Sequence, residues 1–430
     1  MDVNFYGSIV MEVIKKEGQN MKKALVVAGG ISQAALVQNL KARGIYTILV
    51  DRNPKAYAVQ FADAFYPVST MDVEGIKQLA IKEQVDMVLT ACADQVLLVV
   101  AQVSEELGLP CYIDYKTAKL VSDKQYMKAV FEENGIPTAK HVVMAEFDNE
   151  KLKGFRFPLI VKPVDCYSSR GVRKVENKEE LKSAFTEAVN MSRTKTAIVE
   201  EFCEGIELTV DVYVEEGISH VLTTSVSDKI ADKDRFVIYR TKNPAPISQE
   251  ISKKIELACQ QIADAFGLVN SPMLVQLITD GKQIDVLEFC ARTGGCIKFK
   301  LIKKASGFDV IKAVIDLTLG LKPHVGELRS ESKYITNTFL YCKPGVLDHL
   351  EGFEEALDQR LITEYCQLAA EGTVFDSVTC SGDRCASFTI QGDNLEEMNR
   401  ISKQVMDMIS AIDKNGNDII RHDLVENLVY

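Results

Sequence analysis

Three side chains of different chemistry alternate in the segment LEFCARTGG, residues 287–295. Glu288 is a carboxylate, Cys290 a thiol and Arg292 a permanent cation, and alternate residues of a β-strand point to the same face. A carboxylate can hold a metal ion while a neighbouring guanidinium neutralises phosphoryl charge. The segment therefore predicts a site for phosphoryl chemistry, although an exposed pair of opposite charges on a sheet face is the simpler alternative.

A hairpin is predicted to add an oxygen ligand from a second strand. Asp280 and Gly281 are typical turn residues, and a connection over residues 281–283 sets Gln276 opposite Glu288. Mg²⁺ prefers oxygen ligands from one or two side chains together with substrate phosphates. We therefore interpret Glu288 and Gln276 as an open half-site for Mg²⁺.

Two lysines earlier in the chain could meet an anion. Lys162 lies in LIVKP, where apolar neighbours predict a buried strand and an ammonium without a partner would be costly. Lys124 lies in SDK, next to the start of a helix that Ser122 is predicted to cap. Either lysine alone is also typical of a solvated surface.

A polar loop follows Lys162. It contains Ser168, Ser169, Arg170 and Gly171, whose hydroxyls and backbone amides can wrap phosphate oxygens. The loop is not a P-loop, because the GK[ST] sequence does not follow. It is therefore a candidate phosphate-binding loop of another kind.

The segment IVEEFCEGIEL is a candidate for contacts with a nucleoside. A strand that ends at Glu200, Glu201 and Phe202 in an irregular turn exposes backbone groups that could pair with an adenine edge. Glu207 could accept hydrogen bonds from ribose hydroxyls. Taken alone, the segment is also consistent with a charged strand end.

The elements that position these residues belong to two different patterns. Apolar strands such as KALVVAGG and YTILVD alternate with helices, which predicts a Rossmann-like parallel sheet. The pattern continues to the run PCYI, residues 110–113, and the pair Gly29-Gly30 does not complete GxGxxG. Later runs of strands and helices predict an α+β arrangement.

The predicted organisation has four parts. Residues 1–20 are an N-terminal extension and residues 21–117 the Rossmann-like domain. An α+β domain follows over residues 118–322, with a small α/β subdomain over residues 323–430. Helices are predicted from Gln249 to Phe266 and from Leu395 to Ile412.

The polar segment before the helix at Gln249 could contact a substrate. Its candidate residues are His220, Lys229, Arg235 and Arg240. Their alternative interpretation is exposed loop residues.

Composition narrows the class of protein. The 430 residues carry 50 Lys and Arg against 61 Asp and Glu, a net charge of −11, which disfavours nucleic acid as a partner. The 11 Cys include no CxxC pair, so neither a zinc ribbon nor a disulfide framework is predicted. Apolar runs stay short of the roughly 18 residues of a membrane span, and residues 1–20 lack signal-peptide features. We expect a cytoplasmic protein that does not bind membranes.

Taken in order, five motifs resemble those of the ATP-grasp superfamily of carboxylate-amine ligases, in the branch of amino-acid ligases, glycinamide-ribonucleotide synthetase and carbamoyl-phosphate synthase. The motifs are SDK, LIVKP, SSRGV, VEEFCEG and LEFCARTGG. The resemblance covers about residues 21–320. It implies a Rossmann-like domain, an ATP-grasp fold of two α+β subdomains with a mobile lid at about residues 141–202, and a small C-terminal subdomain.

The resemblance also implies roles for residues of this chain. Lys124 and Lys162 would contact ATP phosphates, and the loop over residues 168–171 would cover them. Glu200, Glu201 and the Phe202 backbone would lie at adenine, with Glu207 at the ribose. Glu288 would hold Mg²⁺ and Arg292 would stabilise an acyl phosphate.

The implied reaction joins a small-molecule carboxylate, activated by ATP, to an amine and releases ADP and phosphate. Amino-acid-like substrates are expected, and a homodimer is the expected assembly.

Two positions depart from the family pattern. Cys290 stands where Asn is common, and Gln276 where an acidic ligand is common. A thiol is a poor ligand for Mg²⁺. Either Glu288 acts with water in the gap, or the enzyme uses Mn²⁺, or catalysis has been lost. The rivals to the ligase are thus a non-catalytic nucleotide-binding protein and an enzyme that activates bicarbonate.

Overall fold

A parallel β-sheet forms the N-terminal part of the protein. The computed structural model describes residues 21–166, 170–230 and 236–424. Within them, the first sheet has four parallel strands in the order β3-β2-β1-β4. The strands are β1 (Lys23–Val27), β2 (Tyr46–Val50), β3 (Ala64–Tyr66) and β4 (Met87–Leu89). The helices are α1 (Ile31–Ala42), α2 (Val73–Glu83) and α3 (Asp94–Leu107). Apolar side chains are buried on both faces, which confirms the predicted α/β arrangement.

The predicted pattern fails at residues 110–113, which form no strand. Pro110 has no amide hydrogen to donate to a ladder. Cys111 and Tyr112 instead pack against the apolar clusters of the helices, and Tyr112 donates from its hydroxyl to the Ala291 carbonyl at 3.0 Å. Packing against another domain therefore replaces sheet pairing here.

Two short helices lead into the second part of the chain, α4 (Tyr115–Val121) and α5 (Lys124–Glu133). The cap of α5 is Asp123 and not Ser122, because the Asp123 carboxylate accepts from the amides of Gln125 and Tyr126. This cap fixes Lys124 as the first residue of the helix.

A small antiparallel sheet, the lid sheet, follows. Its order is β5-β8-β6-β7, and helix α6 (Lys178–Met191) packs against it through Leu181, Ala184 and Phe185. The strands are β5 (His141–Met144), β6 (Leu159–Pro163), β7 (Arg173–Val175) and β8 (Ala197–Glu201).

A large antiparallel sheet faces it. Of the part of the chain that the structure describes, eight strands join in the order β13-β12-β9-β10-β11-β14-β18-β16. They are β9 (Ile206–Glu215), β10 (Ile218–Lys229), β11 (Ile238–Asn243), β12 (Ser271–Thr279), β13 (Ile284–Cys290), β14 (Tyr334–Tyr341), β16 (Glu364–Gln367) and β18 (Arg384–Gly392). Three helices contact strands of this sheet, namely α7 (Gln249–Ala265), α8 (Lys298–Ser306) and α9 (Val310–Thr318).

The alternative interpretation of His220, Lys229 and Arg240 as exposed loop residues is wrong. His220 and Lys229 lie on β10, and Arg240 lies on β11 with only 2% of its surface exposed. The Arg240 guanidinium is paired with the Asp228 carboxylate at 2.6 Å. The sequence did not predict these strands, because charged residues are typical of loops and here they are paired across the hairpin. Arg235 lies outside the described residues.

The C-terminal residues complete the large sheet and add a smaller one. This smaller sheet has the order β17-β15-β19, and its helices are α10 (Phe353–Asp358) and α11 (Leu395–Met408). Its strands are β15 (Gly345–Glu351), β17 (Val374–Phe375) and β19 (Ser410–Asp413). The helix predicted to reach Ile412 therefore ends at Met408, and the following residues pair as β19. Short 3₁₀ helices cover Tyr57–Phe61, Ser381–Asp383 and His422–Leu424. A search of the described residues finds no helix with the length and apolarity needed to traverse a bilayer.

Candidate active site

A cleft separates the lid sheet from the β9, β12 and β13 end of the large sheet. It contains predicted site residues from both sides, namely Lys124, Lys162, Arg170, Glu200, Glu201, Phe202, Glu207, Gln276 and Glu288. Apolar side chains such as Ile160, Val172 and Leu287 line the rest. The cleft thus combines charged groups with flat apolar surface.

Two predicted residues that the structure describes do not line the cleft. Arg292 and Gly171 are not among the described residues that line the cleft. Gly171 has a φ of +74°, and a Cβ atom there would lie 2.9 Å from Pro163 Cγ, so the position requires glycine. Ser168 and Ser169 lie outside the described residues.

The hairpin pairs Gln276 directly with Glu288, as predicted. The predicted turn length is wrong, because the turn has four residues, 280–283, rather than three. A bulge at Leu287 compensates for the extra turn residue, since Leu277 pairs with Val286 while Gln276 pairs with Glu288. The bulge restores the facing pair.

Glu288 forms the acidic end of the cleft. Its Oε2 atom lies 3.2 Å from Lys124 Nζ, which also donates to the Cys166 carbonyl at 2.7 Å. Burial raises the pKa of Glu288, but Lys124 and Lys162 more than offset it, and the net shift is downward. Glu288 is therefore a carboxylate at neutral pH, ready to meet a cation.

The described residues contain no group of three or more His, Cys, Asp or Glu side chains that could hold a metal ion. A cation at Glu288 would rely on this carboxylate, on the Gln276 amide oxygen, and on oxygen atoms from a ligand or water. The Gln276 amide nitrogen makes a long contact of 3.5 Å with Glu207 Oε1. This donor set fits Mg²⁺, which commonly takes one or two protein ligands.

Cys290 is poorly suited to be a metal ligand. Burial raises the pKa of its thiol well above the ordinary value, Arg292 lowers it, and Asp94 raises it further. Only the thiolate binds metals well. A protonated thiol would not compete with Glu288 for Mg²⁺, which is consistent with the first of the three alternatives, Glu288 acting with water.

Arg292 is held by a residue that sequence reasoning missed. Its Nε and Nη2 atoms donate to the two carboxylate oxygens of Asp94, each at 2.7 Å, and Nη1 donates to the Thr293 carbonyl. Burial raises the pKa of Asp94, but Arg292 lowers it more, so both groups stay charged. Asp94 begins α3 beyond the carboxyl end of β4, the sheet edge where parallel sheets carry functional groups. This position at the sheet edge is the feature of the sequence from which Asp94 could have been identified as a site residue.

Glu200 does not point into open solvent. It is 3% exposed, and its Oε2 atom lies 2.5 Å from Lys162 Nζ. On its other side Oε1 lies 2.8 Å from Lys128 Nζ, an ionic contact outside good hydrogen-bond alignment. Lys128 is the second residue that sequence reasoning missed, and its spacing of four from Lys124 on a helix was the available signal.

The remaining cleft residues also have partners. Glu201 pairs with Arg156 at 2.9 Å, and Glu207 pairs closely with Lys229. Lys174 Nζ lies 4.4 Å from the centre of the Phe202 ring. The Phe202 amide donates to the Pro158 carbonyl at 3.1 Å, which fixes the strand end.

Two family models match the chain. The model of the ATP-grasp domain matches residues 155–299, and that of the PylC-like N-terminal domain matches residues 24–111. Carbamoyl phosphate synthase large chain of Clostridium acetobutylicum is 22% identical over 294 residues, which are 65% of this chain and 26% of that protein. The chain therefore spans about a quarter of this curated relative.

Solved structures share the fold. The crystal structure of an L-amino acid ligase from Bacillus licheniformis has a TM-score of 0.78 at 18% identity, covering 92% of this chain and 100% of that one. The biotin carboxylase domain of Hydrogenobacter thermophilus 2-oxoglutarate carboxylase, solved with MgADP and bicarbonate, has a TM-score of 0.76 at 16% identity, covering 95% and 94%. The chain therefore contains an ATP-grasp domain over residues 155–299 and a PylC-like N-terminal domain over residues 24–111.

Proposed function

We propose that the protein is an ATP-dependent ligase that activates a small-molecule carboxylate as an acyl phosphate and joins it to an amine, releasing ADP and phosphate. The observation that supports this most is that Lys124, Lys162 and Glu288 meet in one cleft whose apolar walls suit a nucleobase. Two of the similar proteins, a carbamoyl phosphate synthase and an L-amino acid ligase, belong to the same reaction class. We further propose amino-acid-like substrates and a homodimer.

The proposed roles follow from charge and position. Lys162 and Lys124 bind phosphate oxygens, and the apolar residues with Phe202 flank the base. Glu288 with Gln276 would hold Mg²⁺ or Mn²⁺, which would neutralise phosphate charge when bound. We further propose that Glu207 accepts a hydrogen bond from a ribose hydroxyl and that residues 168–171 cover the phosphates.

Arg292 is proposed to stabilise the acyl phosphate. Its guanidinium is fixed by Asp94, so the cation is in place before a substrate arrives. The remaining requirement is exclusion of water, since an acyl phosphate hydrolyses readily. The lid sheet supplies a cover for one side of the cleft.

The direct test uses purified protein, Mg²⁺, ATP and pooled amino acids, with phosphate release as the readout. We expect release of ADP and phosphate only when a carboxylate and an amine are both present. Release with neither substrate present would contradict the ligase, and release with bicarbonate alone would favour the bicarbonate-activating alternative.

The second candidate is a non-catalytic nucleotide-binding protein, favoured by Cys290 and Gln276 in place of the family's usual ligands. Tight ATP binding with no turnover in any substrate pool would support it. The Asp94, Arg292 and Glu288 arrangement favours the active enzyme, because a binding protein has no need of an arginine fixed outside the nucleotide cleft.

Substitution of Cys290 tests the metal assignment. In Cys290→Asn we expect the Mg²⁺ concentration for half-maximal activity to stay the same or fall, because an amide oxygen is a better ligand than a protonated thiol. In Cys290→Ala we expect a change of less than about threefold, since no ligand is lost. Titration of activity with Mg²⁺ and with Mn²⁺ measures both; a more than about tenfold greater metal requirement in Cys290→Ala would make the thiol a ligand.

A further inference from the structure

Lys128 lies beneath the cleft, one helical turn after Lys124 on α5. It is 2% exposed, and the described residues that line the cleft do not include it. Its ammonium donates to Thr138 Oγ1 at 2.5 Å and to the Val286 carbonyl at 3.3 Å. These two hydrogen bonds and the ionic contact with the Glu200 carboxylate hold the ammonium in place below β13.

Glu200 lies between two ammonium groups. Lys128 lies 2.8 Å from one carboxylate oxygen and Lys162 lies 2.5 Å from the other. Burial would raise the pKa of Glu200, but Lys128 and, after it, Lys162 lower it to about 2. The carboxylate is therefore ionised throughout the physiological range, and two cations share one anion.

The consequence is a net charge at the floor of the cleft. Lys162 with Glu200 alone would be a neutral pair, and a neutral pair attracts a polyphosphate weakly. Burial lowers the pKa of Lys128, and the Glu200 carboxylate opposes this shift. With both lysines protonated the group carries one net positive charge, and Lys162 and Glu200 are its members that line the cleft. Because the group is buried, solvent screens this charge little.

We propose that Lys128 is a positioning residue for the nucleotide: by sharing Glu200 with Lys162, it leaves a net positive charge at the cleft for the polyphosphate. This inference rests on the proposed nucleotide site and adds to it a residue that does not touch the ligand. The role requires the charge of Lys128 and not its exact shape.

The test measures ATP and AMP binding to the full-length protein by calorimetry. Lys128→Met keeps the length of the side chain and removes its charge, so we expect ATP to bind about 10- to 100-fold more weakly. The loss should be smaller for AMP, which carries less charge than ATP. Lys128→Arg retains the charge and should bind ATP within about threefold of the wild type.

A double variant separates charge from packing. Lys128→Met with Glu200→Gln restores one net positive charge, so we expect the ratio of ATP affinity to AMP affinity to return to within about threefold of the wild-type ratio, because any contact of Glu200 with adenine is common to both nucleotides. ATP affinity unchanged in Lys128→Met, an equal loss for ATP and AMP, or no recovery in the double variant would each overturn the inference. A wild-type protein that binds neither nucleotide would instead overturn the nucleotide site itself, and the inference with it.

Discussion

In the Glu288→Gln variant we expect ligase turnover to fall by about 10²- to 10³-fold, because the carboxylate that pairs with Lys124 in the cleft loses its charge. The variant keeps the size of the side chain and its pairing position opposite Gln276, so the fold should persist. ATP binding without a metal should not weaken, since a negative charge near the phosphates is removed. The effect should therefore appear in the metal-dependent step.

Turnover at saturating ATP and Mg²⁺, together with ATP binding in EDTA, measures these two effects separately. Asp285→Asn is the matched control, because Asp285 lies on the same strand and is not among the described residues that line the cleft. The control should retain activity within about threefold. Near-normal turnover in Glu288→Gln would remove the metal assignment.

The second large effect is expected for Asp94→Asn. Asparagine can accept only one of the two guanidinium hydrogen bonds that Asp94 now accepts, so Arg292 loses its fixed orientation. We expect kcat to fall by about 10- to 100-fold, the usual scale for loss of a residue that orients an active group. Binding of ATP should change little, because Asp94 is not among the described residues that line the cleft.

The split between kcat and ATP affinity distinguishes positioning from damage to the fold. Asp94→Glu keeps the carboxylate and should recover part of kcat. Glu106→Gln is the control on the same helix, since its ion pair with Lys77 at 2.7 Å is exposed and is screened by solvent. Parallel losses of kcat and ATP affinity in Asp94→Asn would assign the pair a structural role.

The sequence predicted local features of the site well. The facing of Gln276 and Glu288 depended on strand periodicity and turn chemistry, and it survived an error in the turn length because a bulge at Leu287 restored the register. The parallel sheet and the antiparallel hairpins likewise follow from local patterns of apolar residues. These features involve residues that are close in the chain.

The partners of the charged residues could not be predicted in this way. Asp94 and Arg292 are separated by 198 residues in the chain, and no local pattern relates them. The strands β10 and β11 were missed because their charges are paired in the fold, although the sequence alone is typical of a polar loop. Long-range pairing of buried charges is thus where the sequence was least informative.

A crystal structure of the protein with ADP and Mg²⁺ tests the central claim most directly. We predict that the nucleotide lies between the lid sheet and the β12 and β13 hairpin, with its phosphates at Lys124 and Lys162 and the cation on Glu288. A nucleotide bound elsewhere, or an empty cleft at saturating ADP and Mg²⁺, would contradict the account.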